Sequence, residues 1–413
     1  MKKAVCFLLI VSMSLLLCGC WNNFDIDSLA VVVGIGFDKG SNGKIQVTAE
    51  VLNQNAGQSG KGGGSSVDTG QGRGSLVYTE EGRTLFEAIR NFIGKTGERP
   101  YWNDVQVIVI GEAYAKDGME DILDYFERDQ QATLKSNIVV AKGMTAREVL
   151  AAQPDSAQMA STQINNALVE TTSFGKNAKT SVFDVFRQLS LLHPCAVVGA
   201  VEMDSENAAA NQEDTGGSSG TSDGGSGSGG NRQFSSMAVQ GSAVLKGHRL
   251  LGYFTPEATR GYNFAENKIK GAVIVIPNTA APGKLVSIKL ISARGKMKAE
   301  MDGGRPKLAI EVKARGAVGD QQGGGNPAEA GNLNALTKSA QEEIKSEIRE
   351  AVNVSQQTFH ADAFGFSERI YENSASEWDK IKADWDRVYS GSEIDVQVTV
   401  LLERTGMITK PLS

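Results

Sequence analysis

The sequence predicts an α+β protein in which three regions of mixed strand and helix follow an export signal. Three observations carry this. Apolar residues recur with period two in some stretches and at spacings of three and four in others, and the two patterns alternate along the chain. The chain has 47 glycines, and most of the excess is concentrated in a few Gly/Ser-rich stretches that interrupt these patterns. An apolar content of 40% with 7% aromatics supplies packed cores over 413 residues, a length that suits two or three domains.

Lys2 and Lys3 form a positive start, residues 4–17 are an uncharged, largely apolar run, and Leu17-Cys18-Gly19-Cys20 closes it. The run falls short of the roughly 20 apolar residues that a ~30 Å hydrocarbon core requires. It resembles the bacterial lipoprotein signal, in which a cysteine thiol receives a diacylglycerol and the peptide before it is removed. Cys18 stands where such signals usually carry Ala, Ser or Thr. The reading makes residues 1–19 a signal peptide and Cys20 the lipidation site. The covalent diacylglycerol is then the only attached group, with no cofactor and no metal. Acylation of this kind anchors stably, because one chain alone, at about 0.8 kcal/mol per buried methylene, binds only marginally. The mature protein is expected on the outer face of a membrane, since no later apolar run approaches spanning length. Cys195 is left as a single free thiol, read as a small buried hydrophobe, so no intramolecular disulfide forms.

In the first region, residues 28–37 hold a β-branched core that suits a buried strand, and 45–51 alternate as a half-exposed one. Residues 84–95 place Leu85, Ala88, Ile89, Phe92 and Ile93 on one helical face. A buried strand at 105–110 precedes an amphipathic helix at 113–128, and 137–141 form another strand. Thr145 with Glu148 three residues on is a capping box that opens a helix. In the middle region, helical patterns at 154–170 and 181–192 precede strands at 196–202, 237–245 and 270–276. Thr255-Pro256-Glu257 is a compact helix start: a capping hydroxyl, a proline whose missing N–H costs nothing in the first turn, and an acid at the positive end of the dipole. In the last region, alternating runs at 284–301 and 306–314 read as a paired ribbon. A long helix at 328–359 carries Leu333, Leu336, Ala340, Ile344, Ile348 and Val352, and 394–402 form a final strand.

The Gly/Ser-rich stretches at 57–74, 215–230 and 319–331 cannot bury enough apolar surface to offset their ordering entropy. They are expected as solvated, flexible excursions, the first lying between two strand-like runs of one domain. Losing Lys2 and Lys3 takes the net charge from −6 to −8, with no basic block, which argues against nucleic acid as a partner.

Four stretches resemble the lipoprotein C subunits of nutrient germinant receptors in spore-forming bacteria, the Ger(x)C family. They are Gly19-Cys20-Trp21 with residues 27–39; 105–118 closed by Phe126-Glu127-Arg128-Asp129; 241–246 through Gly252 to 257–261; and Ala363-Phe364-Gly365-Phe366 with Trp378, Trp385 and Gly406-Met407-Ile408. They run in order over nearly the whole mature chain. The Gly/Ser inserts, and Asn22-Asn23 where members often carry a charged pair, depart from the pattern. The resemblance implies three mixed α/β domains, each a sheet packed by helices. They are placed at 20–190 (with the 57–74 insert), 191–278 (with a flexible insert at 204–233) and 279–413 (with the long helix). It also implies a non-enzymatic subunit on the outer leaflet of the spore's inner membrane. There it acts with two membrane-embedded subunits of A and B type to couple nutrient detection to germination. An extracytoplasmic solute-binding lipoprotein of a transporter is the alternative, and a surface lipoprotein enzyme a further one.

The sequence carries few marks of catalytic chemistry. His193, His248 and His360 lack metal-ligand spacing, and no Gly-x-Ser-x-Gly elbow is present. Gly34-Ile35-Gly36-Phe37-Asp38-Lys39-Gly40 misses the dinucleotide spacing and lies within a strand pattern. Glu257 and Arg260, three apart near a helix start, are candidates for a polar contact to a receptor partner or for an intrachain structural pair, the second being favoured. Trp378 and Trp385, seven apart on one helical face, are likewise candidates for an interface anchor or, preferred, for core packing.

Overall fold

The first sheet grows outward from β1 (Leu29–Lys39), whose pairing partners lie on both sides. A computed structural model describes residues 3–4, 29–53, 74–129, 133–152, 159–170, 173–203, 237–326 and 329–404. The signal up to residue 2 and from 5 onward, Cys20, the 204–233 insert and all but the last residue of the 57–74 insert lie outside the described residues.

β2 (Ile45–Leu52) pairs antiparallel with β1, and β3 (Ser75–Gly82) pairs antiparallel with β2, Leu52 opposite Ser75. The 57–74 stretch therefore joins two neighbouring strands, as expected. After α1 (Leu85–Thr96) and the short β4 (Arg99–Tyr101), β5 (Val107–Gly111) runs parallel to β1. The single helix expected at 113–128 is two, α2 (Glu112–Asp117) and α3 (Glu120–Arg128), broken at Gly118, whose φ is +133°. Three more helices flank β6 (Asn137–Ala141) and β7 (Cys195–Met203): α4 (Ala146–Ala151), α5 (Ala160–Glu170) and α6 (Val182–Leu189). The Thr145–Glu148 capping box opens α4 as expected, and Ser181 with Asp184 forms another at α6.

β7 pairs parallel with β6, and β8 (Met237–Lys246) and β9 (Arg249–Phe254) continue outward, both antiparallel. The sheet order is β3-β2-β1-β5-β6-β7-β8-β9, with β4 on β1. Mixed α/β architecture with helix-packed sheets is what the sequence led one to expect. The first region's strands share this one sheet with the middle region's strands expected at 196–202 and 237–245, because β7 finds its partner in β6 across the 190/191 division, whereas the strand expected at 270–276 pairs in the second sheet.

α7 (Pro256–Ala265) then leads to a second sheet of β10 (Ala272–Pro277), β11 (Leu285–Asp302), β12 (Arg305–Gln321) and β13 (Ile394–Arg404). β11 and β12 form the expected long antiparallel ribbon, and β13 lies parallel to β12. The expected loop at 319–331 begins inside β12, and its glycine carbonyls at 323–325 accept from the Gln321 amide, so part of it is tied down. α8 (Ala330–Asn353) ends in a π-helical turn at Val354–Thr358, shorter than expected by that turn. α9 (Phe366–Asn373), α10 (Ala375–Ile381) and α11 (Trp385–Ser390) complete the chain before β13.

Both faces of the first sheet are covered. Every residue of β5 and β6 is buried, which is why these strands read as unbroken apolar runs. One face packs on α1, α3 and α6 through residues such as Phe37, Phe92, Phe126 and Val185. The other packs on α4 and α5 through Val109, Val139, Leu150 and Ile164. β1 meets those two helices at Gly34 and Gly36, where a Cβ would stand 2.7 Å from that of Ser161 and 2.9 Å from that of Ala146. The glycine pair thus serves close helix–sheet approach. A third core joins the last strands of the first sheet to the inner face of the second, with Val197, Val244 and Phe254 against Ile288, Ile310, Ile344 and Phe364.

Two acids are buried with the helices they hold. Asp38 accepts from the backbone N–H groups of Ala146 (2.8 Å) and Arg147 (2.9 Å) at the start of α4. Glu50 does the same for Ala160 (3.0 Å) and Ser161 (2.9 Å) at α5. Each carboxylate satisfies donors that a helix start leaves unpaired.

Candidate functional site

α7 is the element on which the two sheets meet, and it carries two of the candidate residues. Its start is built as its sequence dictates: Thr255 Oγ1 accepts from the Ala258 N–H at 3.0 Å, and Pro256 occupies the first turn. The same hydroxyl donates to Glu350 on α8 at 2.7 Å. From Ala258 to Ala265 every residue is buried, so this helix has no solvent face beyond its first turn.

Glu257 and Arg260 do not pair primarily with each other. Glu257 accepts from Lys176 Nζ at 2.8 Å, with its side chain 45% exposed. Burial pushes its carboxyl up, but Lys176 and the helix start outweigh this and hold it below the usual range. Arg260 points the other way. Its Nε donates to Glu347 Oε2 at 2.9 Å, its second Nη also reaches Glu347, and the remaining Nη donates to the Val273 carbonyl of β10 at 2.8 Å. That bidentate pair is shut off from water, and burial acts to raise the Glu347 carboxyl against the pull of Arg260.

The rest of the helix is fixed as closely. Thr259 and Ser242 share a buried hydroxyl contact at 2.8 Å, tying α7 to β8. The Asn263 amide donates to the carbonyls of Gly175 and Asn177, both at 2.8 Å. Gly261 lies against the α8 backbone so closely that a Cβ there would collide with the Glu347 carbonyl.

Trp378 and Trp385 are 4% and 1% exposed and touch edge to face with centroids 5.4 Å apart. They sit on two helices separated by a tight turn at Lys382–Asp384, where one helical stretch was expected. Trp385 Nε1 donates to buried Asp362 at 3.1 Å and its ring stacks towards Tyr389. Cys195 is buried and free, and burial pushes its thiol well above the ordinary range. His193 Nε2 stands 2.5 Å from Asp386, His248 Nδ1 3.2 Å from Glu120, and His360 Nδ1 3.3 Å from Ser390. Among the described residues no three His, Cys, Asp or Glu side chains are grouped to hold a metal ion, and no helix is long and apolar enough to cross a membrane.

The partners Lys176, Ser242 and Glu347 were not singled out in the sequence. Glu347 had a legible signal: it falls in the apolar stripe of α8 with Ala340, Ile344 and Ala351, where a charge demands a buried partner.

This junction draws residues from both halves of a known pattern. Residues 22–203 match the family model "Spore germination protein N-terminal domain", and residues 240–406 match "Spore germination B3/ GerAC like, C-terminal". The chain belongs to this spore germination family. Full-length relatives in Bacillus subtilis (strain 168) are similar throughout. "Spore germination protein KC" is 24% identical over 100% of this chain and 98% of its own, and "Spore germination protein B3" is 22% identical over 99% and 100%. The fold is similar to that in "Crystal Structure of the GerBC protein", with a TM-score of 0.51 and 16% identity over 92% of this chain and 99% of that one. The family resemblance drawn from the sequence motifs is borne out. Within the family's two segments, Lys176 belongs to the N-terminal one and Glu257, Arg260 and Glu347 to the C-terminal one.

Proposed function

We propose that this chain is the non-catalytic lipoprotein subunit of a spore nutrient germinant receptor. A diacylglycerol on Cys20 holds it to the outer face of the spore's inner membrane. It acts there with two membrane-embedded subunits to couple nutrient sensing to germination. The observation that carries the reading is the ordered match of both spore germination models, 22–203 and 240–406, across nearly the whole chain.

On this reading α7 is the fixed joint between the two sheets, Arg260 and the two tryptophans serve structure, and Glu257 is the candidate left open to a receptor partner. Its 45% exposure supports that assignment. The solute-binding alternative expects two similar lobes around a cleft. Here a mainly parallel-cored sheet adjoins a smaller, mostly antiparallel one, which gives it no support. The test is deletion of the gene in its native host, with spore germination measured on single nutrients. Loss of response to some nutrients, with non-nutrient triggers intact, is expected. Normal germination on every nutrient, with a growth defect on one solute, would overturn the reading in favour of solute binding.

A further inference from the structure

The second sheet buries one face and leaves the other bare. β10 shows the contrast: in Ala-Val-Ile-Val-Ile-Pro, Ile274 and Ile276 are buried while Val273 and Val275 are 37% and 47% exposed. So aliphatic a strand is expected where both sheet faces are covered. Ile291, at the bulge between Leu290 and Ser292, and Leu401 are also bare, at 59% and 54%. Leu401 lies opposite Arg315, so the apolar positions adjoin cationic ones.

The charges on this face are matched across the ribbon where Lys296 faces Glu311 and Glu300 faces Lys307, but not everywhere. Arg294 of β11 lies directly opposite Lys313 of β12, a like-charge pair that destabilises the ribbon. Four acids share this face, Glu300, Glu311, Asp395 and Glu403, against seven cations, Lys289, Arg294, Lys296, Lys298, Lys307, Lys313 and Arg315; Lys298 engages Glu311 and Arg315 engages Glu403. Lys289, Arg294 and Lys313 have no ion-pair partner among the described residues. The chain as a whole is negative, at −6, so a local cationic excess on an open face is not its general character.

We infer that this face of β10–β13 lies against an anionic lipid surface, its lysines and arginines among the headgroups and its bare aliphatics at their boundary with the acyl chains. Long basic side chains bury their stems along such a boundary while their charges stay wet. The cations are spread along a ribbon rather than gathered at one point, which suits many small mobile charges better than a single acidic cluster on a protein. The inference rests on the membrane-apposed reading given above, but its vesicle measurement needs neither lipidation nor the receptor.

The test uses residues 20–413 with Cys20→Ser, which keeps both sheets and lacks any acyl chain. Co-sedimentation is measured with vesicles of phosphatidylcholine alone and of an equal mixture with phosphatidylglycerol. Binding to the mixture only, weakened by salt, is expected. Each basic residue near an anionic surface is worth about fivefold in partitioning, so combining Lys289→Glu, Arg294→Glu, Lys296→Glu and Lys313→Glu is expected to cost at least about a hundredfold. A variant that exchanges Lys for Arg and Arg for Lys at these four positions is expected to bind as the parent does. Should the reversed protein not fold, Arg294→Glu alone carries the test, with a loss of about fivefold. Equal binding to both vesicles, or binding unmoved by charge reversal, overturns the inference. Absent vesicle binding with a germination defect in the charge-reversed strain also overturns it, and assigns the face to an acidic protein.

Discussion

Arg260 and Glu347, 87 residues apart in the chain, form a bidentate ion pair with side chains only 7% and 2% exposed. The pair couples α7 to α8 beneath the edge of the second sheet, and the third contact of the guanidinium, to Val273, adds β10. Two charges taken out of water are expensive, and the mutual attraction offsets that cost only while both are present.

Removing one partner is therefore expected to cost more than removing both. Arg260→Ala or Glu347→Ala alone leaves a buried charge and is expected to lower stability by about 3–5 kcal/mol. Arg260→Met combined with Glu347→Leu is expected to recover most of that. Thermal unfolding of the three variants checks it, and a double variant as unstable as the worse single one would show that shape, not charge, sets the cost.

Gly261 predicts a different failure at the same place. Its Cβ would collide with the α8 backbone, which cannot swing aside as a side chain can. Gly261→Ala is expected to cost about 3 kcal/mol, the upper end of overpacking penalties. Gly94, inside α1 with open space around it, is the control: Gly94→Ala is expected to stabilise by about 0.5–1 kcal/mol. Denaturant midpoints that move in the same direction for both would refute the close-crossing account.

Asp38 gives the pH dependence. Burial raises its carboxyl above 3.8, and the N–H groups of Ala146 and Arg147 offset only part of the rise, with Glu148 adding to it and the Arg147 charge opposing it. The folded state thus holds this proton more tightly than the unfolded chain. Its contribution is fully present below 3.8 and is lost as pH rises through the folded value. The stability of the parent relative to Asp38→Asn is expected to decline across that window and then level off. Melting curves for the two proteins from acid to neutral pH measure it, and a difference that grows with pH would contradict the burial argument.

Much of the fold was legible because periodicity reports burial. β2, the β11–β12 ribbon, the Thr145 capping box and the Thr255-Pro256 helix start all lie where spacing and cap chemistry placed them. What spacing cannot report is which surface covers an apolar face. β5 and β10 are equally aliphatic, yet one is buried on both sides and the other is half bare. Nor does it report long-range polar partners. Asp38 and Glu50 sit in strands over a hundred residues from the helices they cap, and nothing local distinguishes them from surface acids. Glu257 and Arg260 were legible as candidates from their helix start. Their separate partners, Lys176 and Glu347, depended on a tertiary arrangement that the local pattern does not encode.

The insert between β7 and β8 offers the last prediction. Met203 lies opposite Met237 at the end of the antiparallel pair, so the two ends of the intervening segment are already adjacent. A two-residue Asn-Gly turn has the backbone twist that such a hairpin requires. Replacing residues 204–236 with Asn-Gly is therefore expected to leave the strand register intact. Each halving of a loop lowers its closure cost by only about 0.6 kcal/mol, so the shortened protein is expected to melt at the parent's temperature or a few degrees above it. A clear fall in melting temperature would mean that the removed segment contributes packing to the first sheet. Retained germination in a strain carrying the shortened gene would show that receptor function does not depend on it.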